Sequence, residues 1–150
     1  MRREDQFHVG IVAEDLRATT DALAAALGYE WGPEVGSTTE VTLPGGPLVV
    51  ELRCVFSVSV PRLEIVRSIP GTLWESAAGL HHIGYWSDDV AADVAELTSH
   101  GYVEEASRLG PDGRPYFTFC RSSNGFRIEL VTRAAQAQLR QCWAAPGNAT

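Results

Sequence analysis

Phe7-His8-Val9-Gly10-Ile11-Val12 is followed by Asp15-Leu16, and the arrangement returns as His81-His82-Ile83-Gly84-Tyr85-Trp86 followed by Asp89-Val90. The two copies lie 82 − 8 = 74 residues apart, and at that offset Leu23 falls on Leu97. Further along, Arg62-Leu63-Glu64-Ile65-Val66 matches Arg127-Ile128-Glu129-Leu130-Val131 at an offset of 129 − 64 = 65. The second copy has therefore lost 74 − 65 = 9 residues between its His and its Glu, a loss that belongs to the connecting strands and turns. Self-similarity of this kind marks two copies of one supersecondary unit.

Each copy reads the same way. Residues 6–13 and 80–87 are apolar, with β-branched or aromatic side chains, and predict strands. Asp15 and Asp89 are helix N-caps. Behind Asp15, the residues Leu16, Thr20, Leu23 and Leu27 fall on one helical face, and Val90, Val94 and Leu97 repeat the stripe. Gly28 and Gly101 stand where helices end. Strands are expected at 37–43, 48–59 and 61–67, with a turn at Pro44-Gly45-Gly46-Pro47, and again at 102–106, 115–121 and 126–132. The reading is an α+β chain of two tandem βαβββ modules within one domain, 1–150. Module one covers about 6–67 and module two about 80–132, joined by 68–79. In the tail, 133–150, a short helix is expected over 133–143 and a frayed end at Pro146-Gly147-Asn148-Ala149-Thr150.

Composition narrows the function. The chain has 150 residues, 45% of them hydrophobic and 21% charged, the balance of a globular protein with a real core. No apolar run approaches the roughly 20 residues of a membrane helix, and the opening has no signal-peptide pattern, so a cytoplasmic protein is expected. The net charge of −7 disfavours nucleic acid and anionic membranes as partners. All twelve basic residues are Arg, which excludes a Schiff-base lysine. Cys54, Cys120 and Cys142 are odd in number and scattered, and read as buried or idle thiols.

The repeat places one His and one Glu at matching positions in each half: His8 and Glu64, then His82 and Glu129. Glu64 lies between Leu63 and Ile65, and Glu129 between Ile128 and Leu130, so each carboxylate faces away from its apolar neighbours. A carboxylate on the inner face of a sheet is costly without a partner. A divalent metal would neutralise both carboxylates and use both imidazoles. Taken singly, each residue is more often a satisfied core His or a solvated strand Glu, and gene duplication alone would also preserve the symmetry. His81 is expected on the opposite face from His82, and His100 at a helix C-terminus, so neither joins the set. Gly10 and Gly84, inside strands, point to close backbone approach, room for a ligand or packing between modules. Trp31, Trp74 and Trp86 are candidates for an apolar pocket, though core packing is the commoner use of Trp.

The segments around His8, Glu64, His82 and Glu129 resemble the four ligand strands of the vicinal oxygen chelate superfamily, over about residues 6 to 132. That group contains glyoxalase I, methylmalonyl-CoA epimerase, extradiol dioxygenases and the bleomycin- and fosfomycin-resistance proteins. Ile69-Pro70-Gly71-Thr72-Leu73-Trp74 is similar to its epimerase-like glyoxalase branch. The resemblance implies curved mixed sheets around a metal-binding cup, with His8, Glu64, His82 and Glu129 as ligands of one divalent ion: zinc, nickel, cobalt, manganese or iron. The set is similar to that of glyoxalase I. Methylmalonyl-CoA epimerases usually carry Gln at the second position, so Glu64 departs from their pattern.

The chemistry implied is a metal-dependent isomerase or lyase that shifts a proton α to a carbonyl through a stabilised enolate, with Glu129 and Glu64 as base candidates. Its substrate is a small molecule with a carbonyl or vicinal oxygens. Alternatives are a protein that sequesters an antibiotic or metabolite, in the manner of bleomycin resistance, and an iron-dependent extradiol-type dioxygenase. Sheet edges and apolar aromatic surface, which such folds leave for a two-fold partner, lead to the expectation of a homodimer. The segment around Leu139 and Trp143 is expected across that interface or over the cup.

Overall fold

The computed structural model describes residues 1–144, so the expected frayed end at 146–150 lies outside the described residues. A 3-10 turn at Arg3–Asp5 leads into β1 (Gln6–Ala13), α1 (Leu16–Leu27), β2 (Val35–Leu43), β3 (Gly46–Phe56) and β4 (Leu63–Arg67). The second module repeats the order as β5 (His82–Ser87), α2 (Val90–Ser99), β6 (Val103–Leu109), β7 (Pro115–Arg121) and β8 (Arg127–Thr132). The expected C-terminal helix is instead a series of short turns: 3-10 at Arg133–Ala135, α3 at Gln136–Leu139 and 3-10 at Arg140–Trp143.

The eight strands close into a barrel in the order β1-β4-β3-β2-β6-β7-β8-β5. Within each module the first and last strands are parallel and the other pairs antiparallel. The modules meet twice. β1 and β5 pair antiparallel at one seam, and β2 meets β6 only at Thr42 and Ser107 at the other.

Strand alternation sorts the side chains into an interior and two outer layers. Val12, Val41, Val66, Trp86, Phe119 and Val131 pack inside the barrel. Ile65 and Val55 turn outward beneath Leu16 of α1. Leu130, Ile128 and Cys120 turn outward beneath Val90 and Leu97 of α2. Ile65 and Leu130 are fully buried, and each contributes roughly 1.5–3 kcal/mol by leaving water. The helices start as expected: the Asp15 carboxylate accepts from Ala18 N–H at 2.9 Å and Asp89 from Ala92 N–H at 3.0 Å. Gly28 closes α1 with φ +74°, and Gly101 follows the end of α2 with φ +86°.

Four expectations change. Leu27, placed on the buried stripe of α1, is 70% exposed at the helix end. Strand β5 begins at His82 rather than 80, since Leu80 and His81 belong to the connection. The Pro44-Gly45 turn is tight, so β2 and β3 pair continuously from Val35–Cys54 to Leu43–Gly46. The shortening of module two falls partly on its helix, with 10 residues in α2 against 12 in α1.

Candidate metal centre

The seam between β1 and β5 sets His8 opposite Gly84 and Gly10 opposite His82. A glycine has no Cβ, so each imidazole lies across the backbone of the glycine facing it. A Cβ on Gly10 would stand 1.9 Å from His82 Cε1, and one on Gly84 would stand 1.9 Å from His8 Cε1. The flanking parallel strands put Glu64 beside Gly10 and Glu129 beside Gly84. Both glycines therefore serve close approach: they make room for the two imidazoles.

All four side chains point into the barrel and are buried. The two Nε2 atoms of His8 and His82 stand 2.8 Å apart. His8 Nε2 lies 3.3 Å from Glu64 Oε2 and 3.2 Å from Glu129 Oε2. His82 Nε2 lies 3.1 Å from Glu64 Oε2 and 3.5 Å from Glu129 Oε2. Donors held about 2.1 Å from a common ion stand roughly 3.0 Å apart in octahedral and 3.4 Å apart in tetrahedral arrangement. The spacing fits a first-row divalent ion, and so does the donor chemistry of two imidazole nitrogens and two carboxylate oxygens.

The electrostatics agree. Burial opposes charge on all four groups, yet each imidazole is surrounded by both carboxylates. Burial pulls His8 down, but Glu64 and Glu129 outweigh it and raise it to about 9. His82 is raised for the same reason against the same burial. Burial likewise pushes Glu64 and Glu129 up, but the two imidazoles outweigh it, holding Glu64 well below the usual carboxylate range and Glu129 below its ordinary value. Two negative charges thus require two positive ones at the centre, and one divalent cation supplies the same balance as two imidazolium protons. His8 Nδ1 is buried with no hydrogen-bond partner among the described residues.

The centre opens on a cavity of about 460 Å³. Trp74, Phe117, Phe119 and Leu139 supply apolar wall, and the Arg108 guanidinium lies 4.9 Å over the ring of Tyr116 on the same wall. The turns after β8 lie across the cup: Leu139 and Cys142 line it, and Trp143 packs 5.3 Å from Phe56 beneath the Arg62 guanidinium. Cys54 also lines the cavity, where burial and the Glu64 carboxylate keep it a thiol. All three cysteines are free.

Two aromatic expectations and one histidine need correction. Trp31 is not in the cavity; it sits outside the barrel by α1, donating from Nε1 to Thr20 O at 3.1 Å. Trp86 is interior but stacks on Phe7 with ring centroids 3.8 Å apart. His81, placed on the far face, instead brings its Nδ1 to 2.9 Å from His82 Nδ1. Its Nε2 stands 2.6 Å from the Leu73 carbonyl oxygen. Residue 81 precedes the strand, so alternation does not govern it. Only the doubled His81-His82 hinted at the contact. His100 is exposed at the end of α2, away from the site.

A βαβββ repeat closed around paired His and Glu residues defines a vicinal oxygen chelate protein. The chain matches the glyoxalase/bleomycin resistance protein/dioxygenase superfamily over residues 7–118 and belongs to it. It is 30% identical over 128 residues to YaeR, an uncharacterized protein of Escherichia coli K12, spanning 82% of this chain and 92% of that one. Among solved structures it is similar to a Streptomyces coelicolor methylmalonyl-CoA epimerase variant in complex with 2-nitronate-propionyl-CoA. There the TM-score is 0.60 and the identity 23%, over 87% of this chain and 98% of the other. The methylmalonyl-CoA epimerase of Mycobacterium tuberculosis gives a TM-score of 0.57 at 19% identity, over 89% and 91% of the two chains. At these identities the structural likeness speaks for the fold.

Proposed function

We propose that this chain is a metal-dependent isomerase or lyase of the glyoxalase or epimerase type that moves a proton α to a carbonyl. The observation that carries the reading is the convergence of two repeat-related carboxylates and two imidazoles at one buried point beside an apolar cavity. His8, Glu64, His82 and Glu129 would hold the ion. When bound, the ion supplies Lewis acidity to a carbonyl oxygen and so acidifies the adjacent C–H. The remaining work falls to the chain. Glu64 and Glu129 come from different modules, and each offers a carboxylate oxygen able to accept a proton on one side of a substrate and return it on the other. Trp74, Phe117 and Phe119 give them an apolar wall on which a substrate could pack. We also place the protein in the cytoplasm as a homodimer. No described helix is long and apolar enough to cross a membrane. A mass in solution that stays monomeric at every concentration would remove the dimer.

The test is metal analysis of the purified protein followed by incubation with small carbonyl compounds and acyl-CoA thioesters in D2O. One equivalent of divalent metal together with α-proton exchange is expected. Absence of metal with tight binding of an apolar ligand would replace the reading by sequestration. Oxygen uptake with ferrous iron and a catechol would replace it by a dioxygenase.

A further inference from the structure

The two candidate imidazole ligands are related by the repeat but not by their surroundings. His82 Nδ1 meets His81 Nδ1 at 2.9 Å, whereas His8 Nδ1 is buried with no partner among the described residues. At the repeat offset, position 81 corresponds to 81 − 74 = 7, and residue 7 is phenylalanine. Phe7 stacks on Trp86 and offers His8 no polar atom.

Protons can be assigned along the second arrangement from its far end. The Leu73 carbonyl oxygen can only accept, so His81 Nε2, 2.6 Å away, carries a hydrogen and donates it. Among the described residues no carboxylate pairs with His81, so a single ring hydrogen, the one on Nε2, serves both of its contacts. Its Nδ1 is then a lone pair and accepts. His82 Nδ1 must therefore carry the hydrogen between the two rings, which leaves Nε2 as the atom whose lone pair an ion would take in place of a proton. That atom is the one facing His8, Glu64 and Glu129. Through-space positioning of this kind fixes both tautomer and ring orientation in metal sites.

We infer that His81 is a positioning residue that sets the tautomer of His82 and aims its Nε2 lone pair at the metal, while His8 lacks the equivalent support because residue 7 is phenylalanine. The inference rests on the metal-dependent reading above. His81 is not one of the four converging side chains; it acts through His82.

The experiment combines histidine 15N NMR of the wild type, without metal and loaded with zinc, with zinc affinities measured by chelator competition. The variants are His81→Phe, which copies the pairing already present at Phe7, and His81→Asn, whose Oδ1 can still accept from His82 Nδ1. The expected spectrum has His81 protonated at Nε2 in both states and zinc-bound His82 protonated at Nδ1. His81→Phe should bind zinc about 10–100-fold more weakly, and His81→Asn should recover part of that loss. A His81 proton on Nδ1, an unchanged zinc affinity in His81→Phe, or an Asn variant as weak as the Phe variant would each overturn the inference. If the wild type itself binds no zinc, the metal reading fails separately. The His81 tautomer in the metal-free spectrum then decides the relay, Nε2–H supporting it and Nδ1–H overturning it.

Discussion

Glu64 and Glu129 are equivalent by repeat and by geometry, each within 3.5 Å of both imidazoles, so substitution must separate holding an ion from moving a proton. Glu129→Gln keeps the volume and one carbonyl oxygen but loses basicity. It should retain part of its metal and lose about 10²–10⁴-fold in proton exchange, read as occupancy and rate on the same sample. Glu64→Gln should match it if the two carboxylates serve opposite faces of the substrate, and be milder if Glu64 is a ligand only. Full metal and full exchange in both variants would assign the proton to another group. The glycines offer a steric test. Gly10→Ala or Gly84→Ala forces a methyl to within 1.9 Å of an imidazole carbon. Because that ring is walled in, each should cost roughly 1–3 kcal/mol in unfolding free energy and reduce metal uptake. Wild-type stability and metal content in either variant would show that the rings can shift freely. The four candidate ligands were legible in the sequence because duplication printed one His and one Glu twice each. His81 was not, since alternation can be applied only inside a strand and β5 begins one residue later.

At the scale of elements, capping and apolar spacing placed both helices, because Asp15, Asp89 and the Leu and Val stripes act locally. Strand ends were less legible. β6 continues to Leu109 because it finds partners on β7 as far as Pro115, and those partners are visible only in three dimensions. The second module also carries a cross-strand device that its sequence pattern did not disclose. Glu105 on β6 accepts from Arg121 on β7 at 2.6 Å and from Arg127 on β8 at 2.5 Å. Partial burial pushes the Glu105 carboxyl up, but the two guanidinium groups outweigh it and hold it below the usual value. A carboxylate depressed in the folded state stabilises the protein above the ordinary pKa near 4.3, and loses that contribution as pH falls through the folded value. Glu105→Gln should therefore cost about 1 kcal/mol or less at pH 7, and the difference from wild type should shrink as pH falls through the ordinary value toward the lowered one. Urea unfolding of both proteins across that range checks the sign. A difference that widened toward acid would refute the pairing.

For the whole molecule, the repeat dictated two modules but not their closure into one barrel. Closure depends on accumulated strand curvature, and it rests at one seam on the single meeting of Thr42 with Ser107. The segment around Leu139 and Trp143 was expected across an interface or over the cup, and its turns lie over the cup, where Trp143 packs on Phe56 and Arg62, residues distant in the chain. Closure brings β2 and β6 together, so the free-edge argument for a homodimer weakens and exposed apolar side chains such as Val49 and Val103 carry more of it. The same architecture would make the candidate metal centre a clasp between modules. His8 and Glu64 come from one half and His82 and Glu129 from the other, and they meet at the better-paired β1–β5 seam. An ion bound there ties the halves together only when both are folded. At about 100 times its dissociation constant it should add about 2.7 kcal/mol to the folded state. For a chain of 150 residues that corresponds to roughly 5–10 °C in Tm. Chelator should reverse the shift, and His82→Ala should abolish it. Hydrogen exchange should slow on metal addition chiefly at β1 and β5, with the β2–β6 seam remaining the faster-opening side of the barrel. An equal Tm with and without metal, in a protein shown to bind it, would mean that the ion binds the unfolded chain as tightly as the folded one, and the preformed four-residue centre would have to be abandoned.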